Sequence, residues 1–306
     1  MADIKRSPPS ETLQWAKEKK RKAALLMQQA SEHARNLFST SDITPFLDLV
    51  SRLHHFDAMN LLLIYNRYPD ASCLAGYKLW ERMMRTPGAQ ILRKEWVGKG
   101  IDLLAPFTDS LDGKHLLVWY TVTMYDIGQT NVSYSPPASV YLSDGEHIYL
   151  LLNALQRILA TFFGRTVVFI PPTEPMRAAG VPGLVIEGKA SIIQVRSDIA
   201  ESEQLRWLSE VLVRLFLYKT GASLDYESFL VKSITYCLFR SWRLPSLLPG
   251  QICPISELSE HTQMLLLTQI QKAVRSLDDV ISHVYQEYRL EADEHSIDLE
   301  IDQEGK

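Results

Sequence analysis

The chain has 306 residues, of which 46% are hydrophobic and 22% are charged, and its formal net charge is −4. This is the composition of a globular protein with enough sequence to bury the core of one large or two ordinary domains. No run of 18 apolar residues occurs and the N-terminus has no charged-then-apolar signal pattern, so we expect a cytoplasmic protein with neither a membrane span nor a secretion signal.

The three cysteines predict no covalent or metal framework. Cys73, Cys237 and Cys253 are far apart and belong to no paired motif. That spacing argues against a set of disulfides and against a cysteine-based zinc site. We expect three reduced thiols.

The first 40 residues are basic, with eight Lys/Arg against four Asp/Glu. The cluster Lys17–Lys22 opens a predicted helix that continues through Ala23 to Phe38. It is interpreted either as a solvated helix face or as a contact for phosphates. Helical periodicity over Thr44–Leu53 predicts a second helix, which we expect to pack on the next one.

The segment from His54 to Pro106 changes its period partway along. Apolar residues at helical spacing from Ala58 predict a helix that Pro69 stops, and a shorter helix follows around Trp80. Ile91-Leu92 and Ile101–Leu104 then alternate and predict two paired strands. The link between these strands is basic, rich in glycine and contains Trp96, a combination suited to phosphates and to an unpaired base.

The rest of the chain predicts an α+β layout, in which helices follow a small sheet. From Glu287 onwards there are eight acids against two bases, and we expect this tail to be frayed or disordered. The predicted strands are Leu116–Tyr125, Thr166–Ile170, Leu184–Ile186 and Ser191–Val195, and the predicted helices are His147–Phe163, Ser202–Lys219, Tyr226–Trp242 and Ser256–Leu290.

Six blocks of the first half resemble, in order, the N-terminal domain of the ArdC antirestriction proteins, a single-stranded-DNA-binding module of bacterial mobile elements. The chain departs from the family at Arg67, where Gln is usual, and by a few extra residues around Arg93–Trp96. The matching blocks are Asn60–Ile64, Arg67 with Pro69-Asp70-Ala71, Gly76–Trp80, Gly98-Lys99-Gly100, Ile101–Pro106 and Tyr125–Thr130.

The resemblance and the basic, aromatic character of the first half together predict a set of DNA contacts. Trp80 is expected in the core instead. The basic and aromatic candidates are Arg67, Arg82, Arg85, Arg93, Lys94, Trp96 and Lys99, and the resemblance adds Asn60 and Gln129 at its motif positions.

The order of elements in the second half resembles the zinc-metallopeptidase-like domain of the same family. There a helix carries His-Glu-x-x-His, which binds zinc and supplies a general base. The matching segment here is Ser209-Glu210-Val211-Leu212-Val213, which keeps the Glu and lacks both His. Glu227 lies three residues before the position of the third ligand, which Leu230 occupies. We therefore expect a pseudoenzyme, with Glu210 paired to Arg206 or Arg214.

These observations predict an α+β protein of two domains: an N-terminal helix-plus-small-sheet domain of the ArdC type and a zincin-like, mostly helical domain without the zinc motif. The predicted function is non-catalytic binding of single-stranded DNA, as in antirestriction on a plasmid or another mobile element, with no cofactor and no membrane contact. A protein partner is expected on the second domain.

Two alternatives stay open: a metal-dependent peptidase with unorthodox ligands, and a protein-interaction module that has lost DNA binding. The predicted boundaries are 1–132 for the first domain, 133–145 for the linker, 146–290 for the second domain and 291–306 for the acidic tail.

Overall fold

The structure is a computed structural model that describes residues 9–84, 90–111, 114–132, 144–188, 191–222, 224–244, 250–255 and 257–304. Within these residues the chain forms helices and two three-stranded sheets, which confirms the α+β class. It divides into two compact units. Unit 1 comprises Met1–Pro136 and Cys253–Thr268, and unit 2 comprises Pro137–Ile252 and Gln269–Lys306. The sequence placed 146–290 in one uninterrupted domain, whereas Cys253–Thr268 group with unit 1.

In its described part unit 1 combines four complete helices and the start of the chain's last helix with an antiparallel sheet. The strand order is β1-β3-β2, so the long third strand lies in the middle. Two 3-10 turns, Lys94–Trp96 and Ile127–Gln129, lie outside the sheet. The elements are α1 (Pro9–Phe38), α2 (Thr44–Leu53), α3 (Ala58–Arg67), β1 (Leu74–Gly76), α4 (Tyr77–Met83), β2 (Ile101–Leu111) and β3 (Lys114–Asp126).

The core of unit 1 is built where its helices contact the strands of this sheet. α3 contacts α1, α2 and β2, and its side chains Leu61, Leu62 and Ile64 are fully buried. Asp57 caps the helix by accepting a hydrogen bond from the Asn60 amide at 3.0 Å, and the helix ends just before Pro69. The predicted helix over Thr44–Leu53 is confirmed with its bounds. The strand predicted over Leu116–Tyr125 is confirmed and is longer, from Lys114 to Asp126.

One pairing predicted in unit 1 is wrong. Ile101 pairs with Met124 of β3, so β2 does not pair with Ile91-Leu92. Leu92 instead forms an isolated antiparallel bridge with Thr130, and a 3-10 turn follows it. The alternating pattern correctly predicted extended backbone at Ile91-Leu92 and at Ile101–Leu104. β2 pairs with β3 because this long strand offers many more ladder hydrogen bonds than Ile91-Leu92 could.

Unit 2 packs helices around a mixed sheet of order β4-β6-β5. β4 and β6 are parallel, and β5 runs antiparallel to β6, as the predicted hairpin required. α5 contacts α7, and α7 contacts α8. The elements are α5 (Asp144–Phe163), β4 (Thr166–Ile170), α6 (Glu174–Ala179), β5 (Gly183–Ile186), β6 (Ile192–Arg196), α7 (Glu201–Thr220), α8 (Glu227–Ser241) and α9 (Glu260–Glu304, of which Glu260–Thr268 group with unit 1).

Two features of the second half differ from the prediction. The short helix α6 was missed, because Pro175 within six residues leaves little periodicity to detect. The last helix begins at Glu260 and continues to Glu304, so the described part of the acidic tail is helical, not frayed. The predicted linker 133–145 lies outside the described residues apart from 144 and 145, which open α5.

Among the described residues, no helix combines the length and the apolar character that crossing a membrane requires.

Candidate nucleic-acid interface

The loop that follows α3 is held from two sides. Arg52, in the last turn of α2, donates from Nε to the Ala71 carbonyl at 3.1 Å and from Nη2 to the Pro69 carbonyl at 3.0 Å. The Asp126 carboxylate accepts from the amides of Ser72 at 2.7 Å and Cys73 at 2.9 Å. Since each of these bonds has a charged partner, they are stronger than neutral ones and fix the backbone of this loop.

Asp126 and Gln129 form a capping box at the end of β3. Asp126 is buried, and its other carboxylate oxygen accepts a hydrogen bond from the Gly128 amide at 2.8 Å. The Asp126 amide in turn donates to the Gln129 side-chain oxygen at 2.8 Å. The Asp-x-x-Gln pattern thus closes a turn. Gln129 is fully buried, and its side chain is used inside the fold.

The segment that carries Trp96 is anchored to this same turn. The Arg93 amide donates to the Gln129 carbonyl at 3.1 Å, and Arg93 Nε donates to the Thr130 carbonyl at 3.0 Å. The Trp96 amide then donates to the Arg93 carbonyl at 2.9 Å. The capping box therefore positions both the loop after α3 and the turn that bears Trp96.

The consequence of these two anchors is an aromatic pair. The rings of Tyr68 and Trp96 lie edge to face, with centroids 5.5 Å apart and an interplanar angle of 76°. Gly128 makes room for this arrangement, because a Cβ there would lie 2.8 Å from the Tyr68 hydroxyl. Burial raises the pKa of Tyr68, the charges of Asp126 and Asp70 raise it further, and Arg93 opposes them. Tyr68 and Trp96 are each half-buried.

The two segments that carry the aromatic pair also carry four cations. Lys99 is on the turn that closes after Trp96, where its amide donates to the Trp96 carbonyl at 3.0 Å and Gly98 adopts a φ of 74°. Two exposed acids, Asp70 and Glu95, are interspersed in the sequence. The four cations, Arg67, Arg93, Lys94 and Lys99, are all exposed. We name as the Tyr68–Trp96 surface the residues Arg67, Tyr68, Arg93, Lys94, Trp96 and Lys99.

The remaining predicted contacts fall elsewhere. Arg82 is exposed on α4, and no contact joins it to the Tyr68–Trp96 surface. Arg85 lies outside the described residues. Trp80 is 1% exposed and donates from Nε1 to the Tyr125 carbonyl at 2.8 Å, which confirms that it belongs to the core.

Asn60 is buried as well, with 4% of its surface exposed. Its Nδ2 donates to the Leu104 carbonyl and to Asp57 Oδ2, both at 2.8 Å, and its Oδ1 accepts from the Leu104 amide at 2.7 Å. Asn60 and Gln129 therefore both lie within the fold, where Asn60 bonds Leu104 and Gln129 Oε1 closes the capping box. Among the described residues Gln129 Nε2 is buried and has no hydrogen-bond partner.

Sequence reasoning missed two residues that build this surface, Tyr68 and Arg52. Tyr68 could have been noticed as an aromatic residue at the helix end, directly before Pro69 and beside Arg67. Arg52 left no comparable signal, because its partners are backbone carbonyls 17 and 19 residues away.

On the basic N-terminal helix, Lys22 has a structural role. Lys22 forms an ion pair of 2.7 Å with Asp102, to which Thr123 also donates at 2.6 Å. Burial alone would raise the pKa of the Asp102 carboxyl, but the hydrogen bonds from Lys22 and Thr123 and the charges of Lys22 and Lys19 lower it overall. Lys20 and Arg21 are exposed.

In unit 2, the helix α7 does not fit a zinc ion at the positions where the family motif has histidines. Ser209 is fully buried and its hydroxyl donates to the Leu205 carbonyl at 2.8 Å, while Val213 has no lone pair. Glu210 lies 3.8 Å from Arg206 and 3.9 Å from Arg214, which confirms the predicted pairing. Arg214 also binds Glu227 at 3.0 Å. Among the residues that the structure describes, no three His, Cys, Asp or Glu side chains form a group that could hold a metal.

Comparison with known proteins gives one structural neighbour. No family model matches the chain, and no curated protein matches it in sequence. The crystal structure of the antirestriction ArdC protein from the R388 plasmid, in its metal-free form, aligns with 75% of this chain and 85% of that one. The sequence identity is 9% and the TM-score is 0.38. A similarity of this size carries no argument about function.

Proposed function

We propose that unit 1 binds single-stranded DNA through the Tyr68–Trp96 surface. The observation that carries this proposal is the half-buried aromatic pair, which lies on two anchored segments that also carry four exposed cations. An exposed ring face next to Lys and Arg side chains suits a strand with unpaired bases, because a base stacks on the ring while the cations neutralise the flanking phosphates. A duplex hides its base faces and could use only the phosphate contacts.

Rigidity supports the proposal. Arg52 and Asp126 fix the loop that begins after Tyr68, and the Arg93 bonds to Gln129 and Thr130 fix the turn before Trp96. Aromatic side chains that are already fixed in position lose less conformational entropy when the strand binds. The sequence blocks shared with the ArdC family support the same function, since the capping box at Asp126 and Gln129 is one of them.

We further propose that unit 2 is not a zinc peptidase. The hydroxyl of Ser209 is committed to a backbone carbonyl, and the Glu210 carboxylate is paired to arginines on the same helix. Without a bound metal, Glu210 has no polarised water to deprotonate. Unit 2 would then serve as a scaffold or a partner-binding module, and the whole protein would handle or protect incoming single strands of a plasmid or another mobile element.

Photo-crosslinking tests the DNA proposal at the level of residues. A single-stranded oligonucleotide that carries 5-bromouracil is bound to the full chain, irradiated and mapped by peptide mass spectrometry. We expect crosslinks on the peptides that contain Tyr68 and Trp96. Crosslinks confined to unit 2, or none at an oligonucleotide concentration that saturates binding, would overturn the proposed surface.

A further inference from the structure

Unit 2 contains an open groove of about 340 Å³ that has no part in the proposed DNA surface. It lies between α5, the carboxyl ends of the parallel strands β4 and β6, and the first turn of α7. Tyr149 and Phe169 line it, 57% and 38% exposed respectively, together with the polar residues Asn153, Gln156, Gln204 and Glu201.

The donor atoms of the two glutamines are already used. Gln204 is 7% exposed, and its Nε2 donates to the carbonyls of Arg196 at 3.0 Å and Ile199 at 3.3 Å. Because both partners are carbonyls, the amide can only point its nitrogen towards them, which leaves Oε1 as an available acceptor. Gln156 likewise donates from Nε2 to the Leu152 carbonyl at 3.3 Å and keeps its Oε1.

The charge of the groove has one sign. Glu201 contributes a carboxylate, and none of the described residues that line the groove is Lys or Arg. The positive end of the α7 dipole is offset by Glu201 and Glu203 in its first turn. Two aromatic faces beside a carboxylate and uncommitted carbonyl oxygens are complementary to a cation that carries several N–H donors.

We propose that this groove binds a guanidinium or alkylammonium group. The cation would contact the faces of Tyr149 and Phe169 and donate to Glu201 and to the free oxygens of Gln156 and Gln204. The group can come from an arginine or lysine side chain of a polypeptide, or from a free organic cation. The site is independent of the proposed DNA binding, since its residues all belong to unit 2.

Ligand-observed NMR titration of the full-length protein tests this site at about 150 mM salt, where non-specific attraction is screened. The probes are N-acetyl-arginine amide and N-acetyl-citrulline amide, which share shape and differ in charge. We expect the arginine probe to bind at least fivefold more tightly. Glu201→Gln and Tyr149→Ala should each weaken its binding roughly two- to fivefold.

Two matched variants provide the controls. Glu203→Gln removes a carboxylate from the same turn of α7, and Tyr218→Ala removes a tyrosine that is 76% exposed on the same helix; neither residue lines the groove. Both should leave the affinity unchanged. Equal binding of the two probes, or arginine binding that Glu201→Gln and Tyr149→Ala leave intact in folded protein, would overturn the proposal.

The source of the cation is distinguished by a capped Gly-Arg-Gly peptide. Tighter binding of the peptide than of N-acetyl-arginine amide would support the site and identify a polypeptide side chain as its occupant. Equal affinity would support the site as one for a free organic cation.

Discussion

Asn60 and Leu104 are joined by a reciprocal pair of hydrogen bonds. The Asn60 side chain donates to the Leu104 carbonyl at 2.8 Å and accepts from the Leu104 amide at 2.7 Å, as a neighbouring strand would. Both residues are buried, so water cannot replace these bonds. The pair locks the first turn of α3 to the middle of β2, and with it the helix whose end carries Arg67 and Tyr68.

Replacing Asn60 with Ala should therefore destabilise the protein. Two backbone groups of Leu104 and the Asp57 carboxylate would each lose a partner, and we expect the free energy of unfolding to fall by about 2–4 kcal/mol. Urea denaturation measures it. Asn66→Ala, at an exposed position of the same helix, should change stability by less than about 0.5 kcal/mol. A loss below about 1 kcal/mol for Asn60→Ala would contradict the structural role.

Removing the indole of Trp96 should weaken DNA binding while the fold remains. If a base rests on the ring, Trp96→Ala loses about 1–3 kcal/mol of binding free energy to a single-stranded oligonucleotide. Fluorescence anisotropy measures the affinity, and circular dichroism checks the fold. Tyr218→Ala removes an exposed aromatic residue from unit 2 and should bind as the unaltered chain does. Unchanged affinity of folded Trp96→Ala protein would show that no base stacks there.

A methyl group at residue 128 should displace Tyr68. The added Cβ would lie 2.8 Å from the tyrosine hydroxyl, so Gly128→Ala forces the ring to shift away from its position beside Trp96. We expect weaker single-strand binding with secondary structure retained, measured by the same anisotropy titration. Gly145→Ala is the control, since a Cβ there meets no heavy atom within 4 Å. Identical affinities for both variants would mean that the geometry of the pair does not matter.

The ion pair between Lys22 and Asp102 should make stability depend on pH. The pKa of Asp102 is lowered in the folded protein, so its contribution is present above the ordinary Asp pKa of about 3.9 and is lost as pH falls through the lower folded value. Asp102→Asn should reduce stability at pH 7, and this difference should shrink as the pH falls below about 3.9. Urea unfolding across this range tests it, with Asp70→Asn at an exposed position as the control. A difference that persists unchanged to pH 2 would contradict the assignment.

Unit 2 should bind no stoichiometric zinc. Protein purified from zinc-supplemented medium and analysed by mass spectrometry of its metal content is expected to hold far less than one equivalent, because Ser209 and Val213 cannot act as ligands. Stoichiometric zinc that is lost in Glu210→Gln would revive the alternative of a peptidase with unorthodox ligands.

The elements of this fold could be predicted because most follow from local periodicity and from proline. The helix over Thr44–Leu53 and the strand over Thr166–Ile170 were predicted with their bounds. The pairing of Leu92 with Thr130 could not be predicted from the sequence. It depends on the capping box at Asp126, which lies more than 30 residues from Leu92 along the chain. The candidate site shows the same dependence on long-range contacts. Residue type alone identified Trp96 and the nearby cations in the sequence. The position of Tyr68 beside Trp96 could not be predicted, because it depends on the bonds by which Arg52 and Asp126 fix the loop after α3.

The most direct test of the account is the affinity for a labelled single-stranded oligonucleotide, measured by anisotropy across a salt series with a duplex of the same length as control. If the four cations of the Tyr68–Trp96 surface each neutralise a phosphate, log affinity should fall with log salt at a slope of about −3, near −0.7 for each phosphate. We predict this slope and a clear preference for the single strand. Equal binding of the duplex, or no binding of the single strand at low salt, would contradict the account.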